Sequence, residues 1–147
     1  MFLYLLNENE GRAFMELALQ AMHVNGVEKE CEKAEYETYL TELNLTGYNT
    51  VGLSFKDAAS AFKLSSIPVK RSVIIELCGI LYADKEIDND ELKWIYSLSE
   101  LLQIKKEETE RLIRWSKDFS DFLEIGLMYI NANTTVRIKS GTCSLSC

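Results

Sequence analysis

Residues 72–82, SVIIELCGILY, leave almost no polar side to any helix they form: Val73, Ile74, Ile75, Leu77, Cys78, Ile80, Leu81 and Tyr82 surround it. A helix that is apolar all round has to be enclosed by the rest of its domain. Pro68, the one proline in the chain, stands just ahead of this run, where a first helical turn tolerates a missing amide hydrogen. The spacing therefore predicts a helix over about 68–83 as the buried centre, and the other elements must wrap it. At 147 residues the chain is long enough to do so as one domain.

Strand signals are weak before residue 133, so helical periodicity organises the rest. Phe14, Leu17, Ala18 and Ala21 make one stripe over 10–24, which Asn25-Gly26 closes because glycine accepts a left-handed backbone. Further helices are predicted over 28–43, 55–64 with Ser54 as N-cap, 89–102, 106–116 and 120–130. The result is an all-α bundle of about seven helices over residues 1–131. A polar C-terminal tail, 132–147, reads as a short extended piece or a disordered end. AFMELALQAMHVNGVEKE and SVIIELCGILYADKEIDND both put Glu-Leu in an apolar helix ahead of a turn and an acidic helix start. Their offset of about 60 residues predicts two pseudo-repeated helix–turn–helix halves.

Charge then narrows the function classes. A net charge of -7 and a pI near 4.8 exclude the basic face that a nucleic-acid binder needs. MFLYLL is apolar for six residues without a basic flank, too short for a signal-peptide core or a bilayer span, so no membrane insertion and a cytoplasmic location are expected. Cys31 and Cys78 fall inside helical patterns, as buried thiols do, whereas Cys143 and Cys147 have no nearby histidine to complete a zinc site. His23, the one histidine, reads as a partly buried helix-end residue; Trp94 and Trp115 read as core or half-core residues, and Glu76 as pairing with Arg71 or Lys93 or facing the acidic turn. Gly-rich phosphate loops, nucleophile elbows and H-E-x-x-H are all missing, so no enzymatic activity is expected.

The chemistry concentrates in YADKEIDNDE, residues 82–91, where Asp84, Glu86, Asp88, Asp90 and Glu91 crowd one turn. Alternating carboxylates suit a hard cation such as Ca²⁺. An EF-hand loop counted from Asp84 fails, however: Asn89 stands at the glycine position and Ile95 at the bidentate glutamate. Asp88 and Glu91 have the spacing of a capping box, Ile87 that of a hydrophobic staple, and Asp90 and Glu91 suit the positive end of a helix dipole. Asp84 and Glu86 are left over, and an anion at the end of an apolar helix is disfavoured by its dipole.

With ELCGILYADKEIDNDELKWIYSLSELLQIKKEETERLIRW over 76–115 and LLNENEGRAFMELALQAMHVNG at the start, the chain resembles the tellurite-resistance TerB-like family. The resemblance covers residues 1 to about 130. It implies an all-helical fold of two related halves, with surface acids associated with divalent cations, Ca²⁺ especially. Asp84 matches the family's helix-ending aspartate, Asp88 its cap and Glu91 the glutamate of the next helix. Lys85 departs from a usual glycine, and Asn25-Gly26 from a usual Asp-Gly; the first-half glutamate is Glu32, or Glu28 with one gap. The expected function is a non-enzymatic binding module whose acidic turn, with Asp84, Glu86, Asp88 and Glu91 as candidate metal ligands, takes a divalent cation or a basic protein partner. The setting that the resemblance implies is a bacterial stress or tellurite-resistance response, and no other cofactor is required. The other reading is a structural protein–protein interaction domain whose acids only cap helices.

Overall fold

The apolar run forms α4, Ile67–Leu81, in the computed structural model, which describes residues 1–26 and 29–132. Ser66 stands in extended backbone ahead of it and Pro68 lies in its first turn. Val73, Ile74, Leu77, Cys78, Ile80 and Leu81 are wholly buried. Around α4 pack α1 (Glu8–His23), α2 (Glu30–Glu42), α5 (Asn89–Leu101), α6 (Lys106–Ile130) and a 3₁₀ turn, Leu3–Leu5. The short α3, Phe55–Ser60, bridges α1 and α5, with the predicted Ser54 cap accepting from the Asp57 amide at 3.1 Å. One hydrophobic core joins Phe14 and Leu17 of α1, Tyr39 of α2, Phe62, most of α4, and Ile95 and Leu98 of α5.

The described residues hold six α-helices and no strand, rather than about seven helices. The difference lies at 117–119, where 106–116 and 120–130 run together as α6. No glycine or proline interrupts Lys117-Asp118-Phe119, the Ser116 hydroxyl donates back to the Leu112 carbonyl at 2.9 Å, and Lys117 pairs one turn on with Asp121 at 2.8 Å. Among the described residues no helix is long and apolar enough to cross a membrane. The predicted tail, from residue 133 onward, lies outside the described residues.

Buried carboxylates tie down the connecting segments. Glu16, 2% exposed, accepts from the Val51, Gly52 and Leu53 amides at 2.5, 3.2 and 3.0 Å and fastens the long α2–α3 connection to α1. Glu76 pairs with neither Arg71 nor Lys93. It accepts from the Phe2 amide at 2.5 Å and faces the Met1 ammonium at 3.0 Å, while Arg71 pairs with Glu108. His23 is exposed at the end of α1 instead of partly buried, its Nδ1 2.7 Å from the Leu19 carbonyl. Of the two tryptophans expected in or half in the core, Trp94 is partly buried against it and Trp115 is 42% exposed.

Candidate functional site

The acidic turn sits where α4 hands over to α5, against the corresponding connection between α1 and α2. Asp88 is the N-cap of α5. Its Oδ1 accepts from the Asp90 and Glu91 amides, each at 2.9 Å, and the Glu91 carboxylate accepts from the Asp88 amide at 2.9 Å. The predicted capping box is therefore complete. Ile87, just outside the box, packs on the core as a staple should. Lys85 takes a left-handed backbone, φ 81°, the conformation that Gly26 takes after α1 at φ 73°. A side chain costs energy there, which explains why glycine suits the position.

The two connections reach across to each other. Asn25 donates its amide to Asp88 Oδ2 at 3.1 Å and to Glu91 Oε1 at 3.0 Å. In the other direction Lys29 places its ammonium on Asp84, with Glu32 Oε1 3.6 Å away. Glu32 accepts from the Lys29 amide at 3.3 Å and so occupies in α2 the place that Glu91 occupies in α5. Of the two candidates for the first-half glutamate, this is the ungapped one; Glu28 lies outside the described residues. Sequence reasoning identified Asp84, Asp88 and Glu91 as one locus but missed Lys29 as its cation. The available signal was positional: Lys29 stands three residues before Glu32, as Asp88 stands before Glu91.

Electrostatics follow this geometry. Glu32 and Glu91 are each 1% exposed, and burial raises both carboxyl pKa values against the pull of their helix-start amides. Burial alone would lower the Lys29 pKa, yet Asp84, with Glu32 and Glu91 behind it, raises it. Asp88 faces solvent and is held below its usual range, first by the Glu91 amide and then by Asn25. Glu86 is exposed, and its own amide donates to Asp84 at 3.4 Å.

The four sequence-predicted ligands thus share a turn but not a common centre. Asp84 is turned to Lys29, Asp88 and Glu91 are bonded to backbone amides and Asn25, and Glu86 points to solvent. Among the described residues no group of three or more histidine, cysteine, aspartate or glutamate side chains is arranged to hold a metal ion. Asp84, Asp88 and Glu91 are thus taken up by Lys29, Asn25 and backbone amides rather than gathered round one point, as a divalent cation needs.

Reactive groups elsewhere are muted. Cys78 is a free buried thiol, its pKa pushed up to about 12 by burial, so no thiolate forms near neutral pH. Cys31, expected as a buried thiol like Cys78, is buried but disulfide-bonded.

Comparison with known proteins bears on the whole arrangement. The family model described as tellurite resistance protein TerB matches residues 6–114, from the turn before α1 into α6. No curated protein and no solved structure matches the chain.

Proposed function

The chain belongs to the tellurite resistance protein TerB family, and from that membership we propose that it is a non-enzymatic, cytoplasmic binding module whose acidic turn docks a basic surface of a protein partner. The setting would be the tellurite-resistance response that the family's description names. The observation that carries this reading is Lys29: a primary ammonium held by Asp84 of the other connection, with Glu32 beside it. A locus that takes an internal lysine has the spacing and charge for external lysine and arginine side chains, and Glu86, Asp88 and Asp90 extend it into solvent. The overall charge of -7 would steer such a partner from a distance.

We also propose that the two connections are pseudo-equivalent halves of a duplicated unit. What supports this is a constant offset: Gly26 and Lys85 share a left-handed backbone, as do Asn44 and Gln103 after α2 and α5, and Glu32 and Glu91 cap their helices alike.

A second reading, a divalent cation in place of Lys29, draws on the raised pKa values of Glu32 and Glu91, which a divalent charge would relieve. Amide NMR titrations with a lysine-rich peptide and, separately, with Ca²⁺ divide the readings. The peptide is expected to shift amides confined to 84–91, in a salt-sensitive way that Glu86→Gln/Asp90→Asn abolishes. Shifts with millimolar Ca²⁺ that vanish in Asp84→Asn/Asp88→Asn would establish the cation instead. Silence with both would leave the acids as helix caps.

A further inference from the structure

α4 was expected to be enclosed on every side, and one side is not. Ile75 is half-buried and Gly79 exposed, and together they form part of the wall of a cavity of about 360 Å³ between α2, α4, α6 and the N-terminal residues. Small-molecule sites begin at about this size. The walls are aromatic: Phe2 and Trp115 have ring centroids 6.0 Å apart and tilted by 55°, and Trp115 stacks on Phe119 at 5.2 Å. Tyr39 and Tyr82 line it as well. Gly79 keeps the space open, since a Cβ there would lie 3.1 Å from the Tyr39 hydroxyl.

Two carboxylates, Glu35 and Glu76, line the same cavity, and among the described residues no lysine or arginine does. Glu42 joins them through the Met1 ammonium, which lies 2.8 Å from Glu42 and 3.0 Å from Glu76. The Met1 ammonium thus pairs directly with Glu42 and Glu76, and Glu35 is left as the third carboxylate of the group. Glu35 is the least compensated: the nearby Tyr39 hydroxyl donates to the Glu76 carbonyl, and the charges acting on Glu35 are Glu76 and Glu42, which repel, and Met1. Burial raises its pKa, as expected for a carboxylate short of donors.

We propose that this cavity is a binding site for a small organic ammonium with an apolar body, its charged head on Glu35 and its body against Trp115 and Phe119. An anionic wall selects the cation, while the aromatic faces add attraction for the same charge and bury the body. The site is independent of the acidic turn and of the partner proposed for it.

The test is an NMR titration of the full chain with 2-phenylethylammonium and, as a neutral analogue of the same shape, 2-phenylethanol. The indole resonance of Trp115 reports the cavity, and that of Trp94, packed on Phe55, serves as internal control. The amine is expected to shift Trp115 and spare Trp94, and to bind about tenfold more tightly than the alcohol. Glu35→Gln should bring the amine down to the alcohol's affinity and leave the alcohol unchanged. Phe119→Ala should weaken both. Lowering the pH through the Glu35 titration should weaken the amine alone, because the protonated carboxyl no longer attracts it. Equal affinity for amine and alcohol in the wild-type chain, an undiminished preference in Glu35→Gln, or no Trp115 response up to about 10 mM would each overturn the proposal.

Discussion

Lys29 and Lys85 put two ammonium groups into a region otherwise built of carboxylates, and each has a separable role. Lys29 is about a quarter exposed and balances Asp84 and the buried Glu32. Lys29→Met keeps most of the stem and removes the charge, leaving carboxylates that repel one another. The expected cost at pH 7 is about 1–3 kcal/mol, below that of breaking a fully buried pair because solvent reaches both partners. The cost should shrink as pH falls through the raised folded values of Glu32 and Glu91, whose protonation relieves the repulsion, so urea unfolding at pH 7 and at an acid pH is the measurement. An equal loss at the two would show that Lys29 acts by packing alone. Lys85 is held at φ 81° and pairs with Glu124. Lys85→Gly removes a backbone cost of about 1–2 kcal/mol and loses a partly exposed ion pair that contributes about 0–1 kcal/mol. A rise in the urea midpoint is expected; a fall would mean that the pair to Glu124 outweighs the backbone. The Asp88–Glu91 box was legible because its partners lie three residues apart. The Asn25–Glu91 and Lys29–Asp84 contacts were not, because local helix grammar sees only near neighbours, and these residues meet only after α1 and α4 have packed.

At the scale of elements, helix identity followed from apolar period, and errors came where a boundary depends on what is absent. α4 and α5 run within two residues of expectation, since Pro68 and Asp88 mark their starts chemically. The division of α6 failed because Ser116–Ser120 looks polar along the chain, yet serine with an i−4 bond and an i,i+4 ion pair are compatible with a continuing helix. The α2–α4 contact was invisible in the same way. Gly79 reads as a weak spot in an apolar helix, but it is where the Tyr39 hydroxyl of α2 approaches and donates to the Glu76 carbonyl at 2.5 Å. Gly79→Ala forces a Cβ against that oxygen. Helix propensity would favour alanine by about 1 kcal/mol. The Tyr39 hydroxyl is held by its hydrogen bond to the Glu76 carbonyl and gives way only by losing it, so the net expectation is a loss of about 1–3 kcal/mol in thermal unfolding. A more stable Gly79→Ala protein would show that Tyr39 can move aside.

At the scale of the whole molecule, the pH dependence of stability is set by two opposed groups of carboxylates. Glu32, Glu35 and Glu91 have pKa values raised above 4.5 by burial, so the folded chain holds protons that the unfolded chain has released. Their stabilising contribution is fully present below about 4.5 and is lost as pH rises through the folded values. Asp88 works the other way: lowered from 3.8, it stabilises above that pH and fails as pH falls through its folded value. The charge of -7 at neutral pH adds self-repulsion on the side where the glutamates have already lost their contribution. Lys29 and the Met1 ammonium, raised from 10.5 and 8.0, hold their contributions through neutrality and lose them as pH rises through their folded values. The expected profile therefore peaks near pH 4–5 and declines toward pH 7, with a further decline in alkali, unlike the neutral plateau common among soluble domains. Salt should flatten it from the neutral side, because about 0.5 M salt screens surface repulsion but not the burial of Glu32 and Glu91. Urea unfolding from pH 4 to 9 at low and high salt measures both arms. Stability that rises from pH 5 to 7 would mean that Lys29 and the helix-start amides hold the buried glutamates ionised in the folded chain, reversing the sign assigned to them here.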